Sequence, residues 1–460
     1  MIKRFFNVAL FFTVAMSFAQ KKQSHYKSEI SLGNGYVFST FFDVSTTPDG
    51  FTIISPKDAD VRIVGGKARL GRLMGKSTKH GVFITITGEQ KNDSLFGEAN
   101  VLMMGKMGFK GLIKNGILSG AFSTDGKTTV GTLHGVTSAE TRNHYNNLYP
   151  ILIKTIEDNI YSKYALKNKE WSDFKRDVAD LCADAHDDIE LYFRFNMLTQ
   201  DLPFTHTGLA ISHDENDSAT TADHNTDNPA PVAAPVRNSV VFEEKNTATA
   251  YLLIKDFAVS QQELAVILPK IVGNTDYKNL IVDLRDNPGG GIEAAFEFAN
   301  YITREDLGVG YFLTNKLDYA GYEPEVFNAL PELQPKGTEE FINQLKATSG
   351  ARLIFKKPDN AVFTGAMYIL TNGGTGSTCE PMVYALKKNK RAVIIGEKTR
   401  GAMLAACPFV LSGKYSLMLP IADFYTTDGA RLDKVGVTPD IAVKSEDALA
   451  KALEMIAGKS

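Results

Sequence analysis

A serine hydroxyl that attacks a carbonyl needs a base to take its proton, donors for the oxyanion that develops, and a backbone that holds it exposed. Three segments of this sequence carry residues of those types. Residues 369–380 read ILTNGGTGSTCE: an apolar strand-like run, a turn of small residues, then the start of a helix. Ser377 falls at that helix start. Two roles compete there: an exposed nucleophile, or a plain N-cap with Glu380 closing a capping box three residues later. Residues 283–291 read DLRDNPGGG, a strand end, then a proline and three glycines before another helix. Glycines let backbone N–H groups converge on one point, and a helix N-terminus adds positive potential. Such a turn can hold an oxyanion, but a tight strand-to-helix connection needs the same glycines for steric reasons. The third segment is Thr205-His206-Thr207, after Asp201-Leu202-Pro203. A histidine beside a loop matters here only where Ser377 needs a base.

Stepping outward, residues 239–460 alternate short apolar runs with helical stretches. Strands are expected over 248–254, 280–284, 366–370, 391–395 and 415–420, and helices over 262–271, 291–302 and 380–388. That alternation predicts an α/β core with helices on a sheet. Residues 138–212, which hold His206, read as a helical domain. Ile156, Ile160 and Tyr164 recur at four-residue spacing, as do Phe174, Val178 and Cys182, each set on one helix face. The pattern opens at 149–153 and continues from Trp171 to Phe195, enough for a bundle of two or three helices. Residues 26–137 alternate apolar and polar residues between Asp49-Gly50, Asn115-Gly116 and Asp125-Gly126. They predict an all-β domain of hairpins, a small antiparallel barrel or a sandwich, with glycines as turn punctuation. Residues 213–238 hold many acids, no aromatics, and Pro229, Pro231 and Pro235, the composition of a loop or linker. His213, Asp214, Asp217, Asp223, His224 and Asp227 match no EF-hand or zinc spacing, so no metal is expected.

The chain has 460 residues, with 50 basic against 53 acidic and a net charge of −3. Without a strong basic field, nucleic acid is not an expected partner. Lys3 and Arg4 precede an apolar run from Phe5 to Phe18, and Ser17 and Ala19 are small residues before Gln20. That is the layout of a signal peptide over residues 1–19, predicting export to a periplasmic or extracellular space. An uncleaved anchor needs a longer apolar span, and no later stretch is long and apolar enough to cross a membrane. Three cysteines, Cys182, Cys379 and Cys407, allow at most one disulfide and no CxxC zinc site.

Taken together, these segments resemble the C-terminal processing protease superfamily, which includes tail-specific proteases, the tricorn core protease and interphotoreceptor retinoid-binding protein. The resemblance covers roughly residues 149–212 and 245–445. It is carried by LIVDLRDNPGG, by TGSTCE followed by VIIGEKTRG, and by DGARLDKVGVTPDI near the C-terminus; Trp171 and LTQDLPFTHTGL resemble the family's N-terminal helices and histidine loop. It implies a crotonase-like α/β serine protease core with Ser377 as nucleophile and no cofactor. One branch of the family uses a lysine base directly after a glycine; here that position follows Gly401 and is Ala402, and Lys398 does not align with it. The other branch, like tricorn, uses a histidine preceded by a hydroxyl residue and a C-terminal acid. Thr205-His206 matches the first, with threonine for the usual serine. Asp433 matches the second, with aspartate for the usual glutamate.

On this resemblance His206 would take the Ser377 proton and return it to the leaving amine. Asp433, directly or through Thr205, would fix the ring. The N–H groups of Gly289 or Gly290 and of Thr378 would hold the oxyanion. Asp440 and Glu397 read as structural, and Cys379 as packing. Many relatives carry a PDZ domain after the histidine; the stretch after His213 is too short for one. The expected activity is hydrolysis of peptide bonds in unfolded or peptide substrates. A catalytically inactive binding protein on the same fold is the alternative, and a surface-binding role centred on the β domain is a third.

Overall fold

Eight strands pair in sequence order through residues 22–137 and close into an antiparallel barrel. They are β1 (Lys22–Leu32), β2 (Val37–Thr47), β3 (Gly50–Ile54), β4 (Ile84–Lys91), β5 (Ser94–Val101), β6 (Gly105–Lys114), β7 (Ile117–Ser123) and β8 (Thr129–Thr137). The computed structural model describes residues 22–458 except 34, 48–49, 56–83, 102–104, 212–238, 320, 334 and 336. The expected signal peptide and the acidic segment 213–238, with its candidate metal ligands, lie outside the described residues. No helix among the described residues is long and apolar enough to cross a membrane.

Among the three β architectures the sequence allowed, closure of β1 onto β8 selects the barrel, with Ile30 opposite Leu133. Alternate residues point inward and are buried, among them Phe42, Ile53, Ile86, Leu95, Phe109 and Phe122. The Phe109 ring lies 5.4 Å from that of Phe122 and 6.4 Å from that of Phe51. Each such burial is worth about 1.5–3 kcal/mol. The glycines differ from the turn-marking role expected of them. Asn115 and Gly116 do make the β6–β7 hairpin with positive φ, +53° and +78°. Gly88, Gly97, Gly108, Gly111, Gly120, Gly131 and Gly135, however, lie within strands. Gly111 and Gly120 face each other across β6 and β7, and a Cβ on either would come within 2.8 Å and 2.4 Å of the Phe109 ring. There glycine makes room for the barrel core.

The chain divides into two compact units, the first holding the barrel and residues His186–Glu190, the second holding His144–Ala185 and Leu191 onward. Three helices follow the barrel: α1 (Leu148–Asn159), α2 (Lys169–Asp184) and α3 (Asp188–Leu198). The helical pattern read through 171–195 is interrupted before α3. Asp187 Oδ1 accepts the Glu190 N–H at 2.9 Å and Glu190 Oε2 accepts the His186 N–H at 3.0 Å, a reciprocal cap that starts a new helix.

The remainder is the expected α/β core. Its strands are β9 (Gly208–Ile211), β10 (Val240–Asn246), β11 (Thr249–Ile254), β12 (Asn279–Asp283), β13 (Leu307–Thr314), β14 (Gly350–Phe355), β15 (Ala366–Thr371), β16 (Val393–Gly396), β17 (Ala405–Ser412), β18 (Tyr415–Thr426) and β19 (Ile441–Ala442). Its helices are α4 (Gln261–Gly273), α5 (Ile292–Ile302), the short α6 (Pro324–Asn328), α7 (Thr338–Ala347), α8 (Cys379–Lys388) and α9 (Ala448–Ala457). One sheet has the order β10-β11-β12-β15-β16-β19 and is parallel except for β10. The second is antiparallel, β14-β13-β18-β17, and β9 pairs with β18. Central strands buried on both faces read as continuous apolar runs. Leu280 and Val282 enter the core shared with α4, α5 and α8, while Ile281 faces Tyr368, Leu370 and α9. Helix α8 packs against β13, β16 and β18, and so is held by both sheets. Asp283 pairs with Leu370, so the loops after β12 and β15 emerge side by side at the carboxyl end of the sheet, where α/β folds bind ligands.

Candidate active site

The loop after β15 is built to hold Ser377 in a strained conformation. Thr375 Oγ1 donates to Leu284 O at 2.7 Å and accepts from the Asn372 N–H at 3.0 Å. The Gly376 N–H donates to Asn287 O at 3.0 Å. These bonds tie the serine turn to the glycine turn after β12. Ser377 then takes φ +52°, a region that a non-glycine residue occupies only when its surroundings impose it. Of the two roles the sequence left open, its side chain does not cap α8; the Ser377 Oγ lies 3.2 Å from His206 Nε2. Glu380 alone supplies the cap, accepting the Ser377 N–H at 3.2 Å.

His206 sits between α3 and β9, also at positive φ, +61°. Buried Leu202 and Phe204 anchor the loop. The Asn196 side chain staples α3 to β9 through both the N–H and the carbonyl of Leu209. The His206 Nδ1 is 2.8 Å from Thr205 Oγ1, and Thr205 Oγ1 donates to Asp433 Oδ1 at 2.5 Å. The Asp433 carboxylate, 5% exposed, also accepts the N–H groups of Thr205 and Met403, both at 3.2 Å. Ser377, His206, Thr205 and Asp433 thus form one continuous chain of bonds. The hydroxyl has a single proton, given to Asp433, so its oxygen accepts from Nδ1–H and leaves Nε2 as the acceptor facing Ser377. The threonine hydroxyl bridges the ring and the acid. Burial holds the His206 ring below its ordinary pKa; Asp433 acts in the opposite direction and Arg400 adds to the lowering.

Of the expected oxyanion donors, Gly289 is corrected by the structure: its N–H is engaged by Asn287 Oδ1 at 2.9 Å. Gly289 has a steric role instead, because a Cβ there would lie 2.6 Å from Ser377 Cβ and 2.9 Å from Thr378 N. The N–H groups of Gly290 and Thr378 carry no hydrogen bond among the described residues, and both residues line the same pocket as Ser377 and His206. Thr378 Oγ1 donates to Gly290 O at 2.7 Å and fastens the two together. The pocket is a cavity of about 260 Å³. Its wall beyond the polar mouth is apolar, with Phe312, Phe341, Leu353, Phe355, Met382 and Leu404.

The lysine alternative has no geometric basis. Ala402 donates its N–H to Glu380, and Lys398 is exposed in a separate depression with Glu397 and Thr438. Asp440 accepts the Ile394 N–H and Glu397 the Ser445 N–H, at 2.9 and 3.0 Å; both hold backbone away from Ser377. The Cys379 thiol is fully buried, and burial pushes its pKa up. Two contributors were not read from the sequence. Buried Glu380 gathers Thr399 Oγ1, the Gly401 N–H and the Ala402 N–H at 2.6–2.7 Å. Buried Asn287 holds Ile254 O as well as the Gly289 amide. Glu380 had a visible signal as a capping residue, while Asn287 had only its place between Asp286 and Pro288.

The fold and the site define an α/β protein with a serine presented at a strand-to-helix turn. Residues 248–443 match the model for Peptidase family S41. Over part of its length the chain is similar to C-terminal processing proteases. It is 26% identical over 218 residues to a carboxyl-terminal-processing protease of Synechocystis, covering 47% of this chain and 42% of that one. It is 29% identical over 161 residues to the chloroplastic carboxyl-terminal-processing peptidase 2 of Arabidopsis thaliana, covering 35% and 25%. The aligned segments span between a quarter and about two fifths of these relatives' length. A photosystem II D1 C-terminal processing protease structure aligns at 15% identity with a TM-score of 0.40, covering 66% of this chain and 94% of that one.

Proposed function

We propose that the protein is an exported serine endopeptidase that cuts unfolded or peptide substrates through an acyl-enzyme on Ser377. The observation that carries this reading is the unbroken run of bonds from Ser377 Oγ through His206 and Thr205 to Asp433. His206 Nε2 takes the serine proton as Oγ bonds to the scissile carbonyl carbon. The Gly290 and Thr378 N–H groups receive the oxyanion, a contribution of about 3 kcal/mol for each donor. The imidazolium then gives its proton to the leaving amine, and water repeats the cycle on the ester. The same bonds give Thr205 and Asp433 a part in the relay, which favours the peptidase over a non-catalytic binding protein. Export is supported by the sequence of residues 1–19 alone.

The apolar pocket supports a preference for an apolar side chain before the scissile bond. Burying a leucine or phenylalanine there gains about 1.5–3 kcal/mol, whereas an unpaired charge would be buried at a cost. A peptide-library digest is therefore expected to yield cleavage after Leu, Phe or Met at least about tenfold faster than after Asp or Lys, and no cleavage by Ser377→Ala. Cleavage by both proteins alike, or a preference for a charged residue at that position, would overturn this reading.

The environment of His206 also fixes the direction of pH dependence. Burial favours the neutral ring, so the base stays competent below the ordinary imidazole pKa of about 6.5. The acidic limb of kcat/KM is expected below that value, with activity falling as the ring protonates. A limb at or above about 6.5 in a pH–rate profile would contradict the buried, neutral base.

A further inference from the structure

Arg400 stands beside the reaction centre without a part in the relay. It lies in the loop after β16, directly behind the serine turn. Its N–H donates to Thr375 O at 2.8 Å, and its Cβ and Cδ lie 3.3 and 3.2 Å from where a Cβ on Gly376 would sit. The side-chain stem therefore runs along the turn that presents Ser377. The residue is exposed, and among the described residues its guanidinium makes neither an ion pair nor a hydrogen bond. Other arginines of the core are engaged: Arg285 with Asp283, Arg431 with Asp423, and Arg391 with three backbone carbonyls. The charge of Arg400 nevertheless reaches His206, where it disfavours the protonated ring.

Its position relative to the scissile bond follows from the two sides of Ser377. The apolar cavity, lined by α8, β17 and residues 403–406, does not include Arg400. That cavity takes the residue before the bond. The segment after the bond must pass His206, because Nε2 delivers the proton to the leaving nitrogen, and Arg400, whose stem borders the serine turn outside the apolar cavity, is placed to meet it. An unpaired guanidinium offers a planar fork of donors matched to a carboxylate. A seated carboxylate would also offset the positive charge that opposes protonation of His206.

We infer that Arg400 binds a carboxylate on the leaving side of the substrate, either an acidic side chain just after the scissile bond or the peptide's own C-terminus. The inference rests on the peptidase reading and narrows it to a substrate class: peptides apolar before the bond and anionic after it.

The test compares the full chain with Arg400→Gln on peptides sharing one apolar residue before the bond. One pair carries Glu or Gln in the second position after it, and another ends in a free or an amidated C-terminus. The wild type is expected to favour the carboxylate member of at least one pair by about three- to tenfold in kcat/KM, and Arg400→Gln to bring that ratio to about one. The pair whose ratio collapses identifies the source of the carboxylate. Ratios near one in the wild type, or unchanged ratios in Arg400→Gln, would overturn the inference even with every peptide cleaved. Fluorescence anisotropy of the same peptides on Ser377→Ala, with and without Arg400→Gln, separates this from the activity. A carboxylate preference in binding that depends on Arg400, without turnover by the wild type, would sink the peptidase reading and leave the inference standing. Equal binding of both members of each pair would sink the inference itself.

Discussion

Alanine at Ser377 or at His206 is expected to lower kcat for peptide hydrolysis by about 10⁴- to 10⁶-fold, and the double replacement to lower it no further. The two side chains act as one unit: among the described residues, the 3.2 Å contact between Oγ and Nε2 is the route for the serine proton. With either partner gone, oxyanion stabilisation and substrate binding supply the residual rate. Neither side chain caps a helix, so the melting temperature should hardly move, and KM should change little. Multiplicative losses in the double variant would mean that the residues act independently, against the relay.

The second large effect falls on Thr205. Thr205→Val keeps the shape of the side chain but removes the hydroxyl that joins Nδ1 to Asp433. The imidazolium loses its support and the neutral ring loses the partner that fixes its tautomer. We expect kcat to fall by about 10²- to 10³-fold, somewhat less than removal of a directly bonded triad acid. The acidic limb of the pH profile should also move lower, since the protonated ring is stabilised less. Thr205→Ser retains the hydroxyl and should recover most of the rate. A merely structural threonine would be satisfied by valine and would leave the pH profile in place. Steady-state kinetics on the three proteins, with pH profiles for each, decides between these.

Much of the catalytic half was legible because it is local. The strand, small-residue turn and helix around Ser377, and the proline-glycine turn after Asp283, are contiguous signals with fixed geometric consequences. What was not legible depends on residues distant in sequence. Thr205 and Asp433, both named from the family resemblance, are 228 positions apart, and the fold decides that the acid reaches the ring through the hydroxyl and not directly. The engagement of the Gly289 amide likewise depends on the rotamer of Asn287, which removes one of three candidate donors. The barrel was one of several permitted β architectures, because closure is set by the pairing of β1 with β8 at opposite ends of the domain. Its glycines misled for a related reason: the ring they accommodate, Phe109, belongs to the same face of a sheet and not to a turn. The break before α3 had a signal, Asp187 followed by Glu190 three residues on, which competed with an uninterrupted apolar pattern. The isolation of Arg400 could not be read from sequence at all, since whether a charge has a partner is a property of space.

The central claim is that Ser377 is an activated nucleophile with His206 as its base. Its most direct measurement is reaction with a fluorophosphonate probe, in which Oγ bonds to phosphorus and fluoride leaves. Mass spectrometry of the digested, folded wild type is predicted to find the adduct on Ser377, with labelling abolished in Ser377→Ala and reduced to background in His206→Ala. Folded wild-type protein that stays unlabelled, or that carries the probe on another residue, would contradict the account.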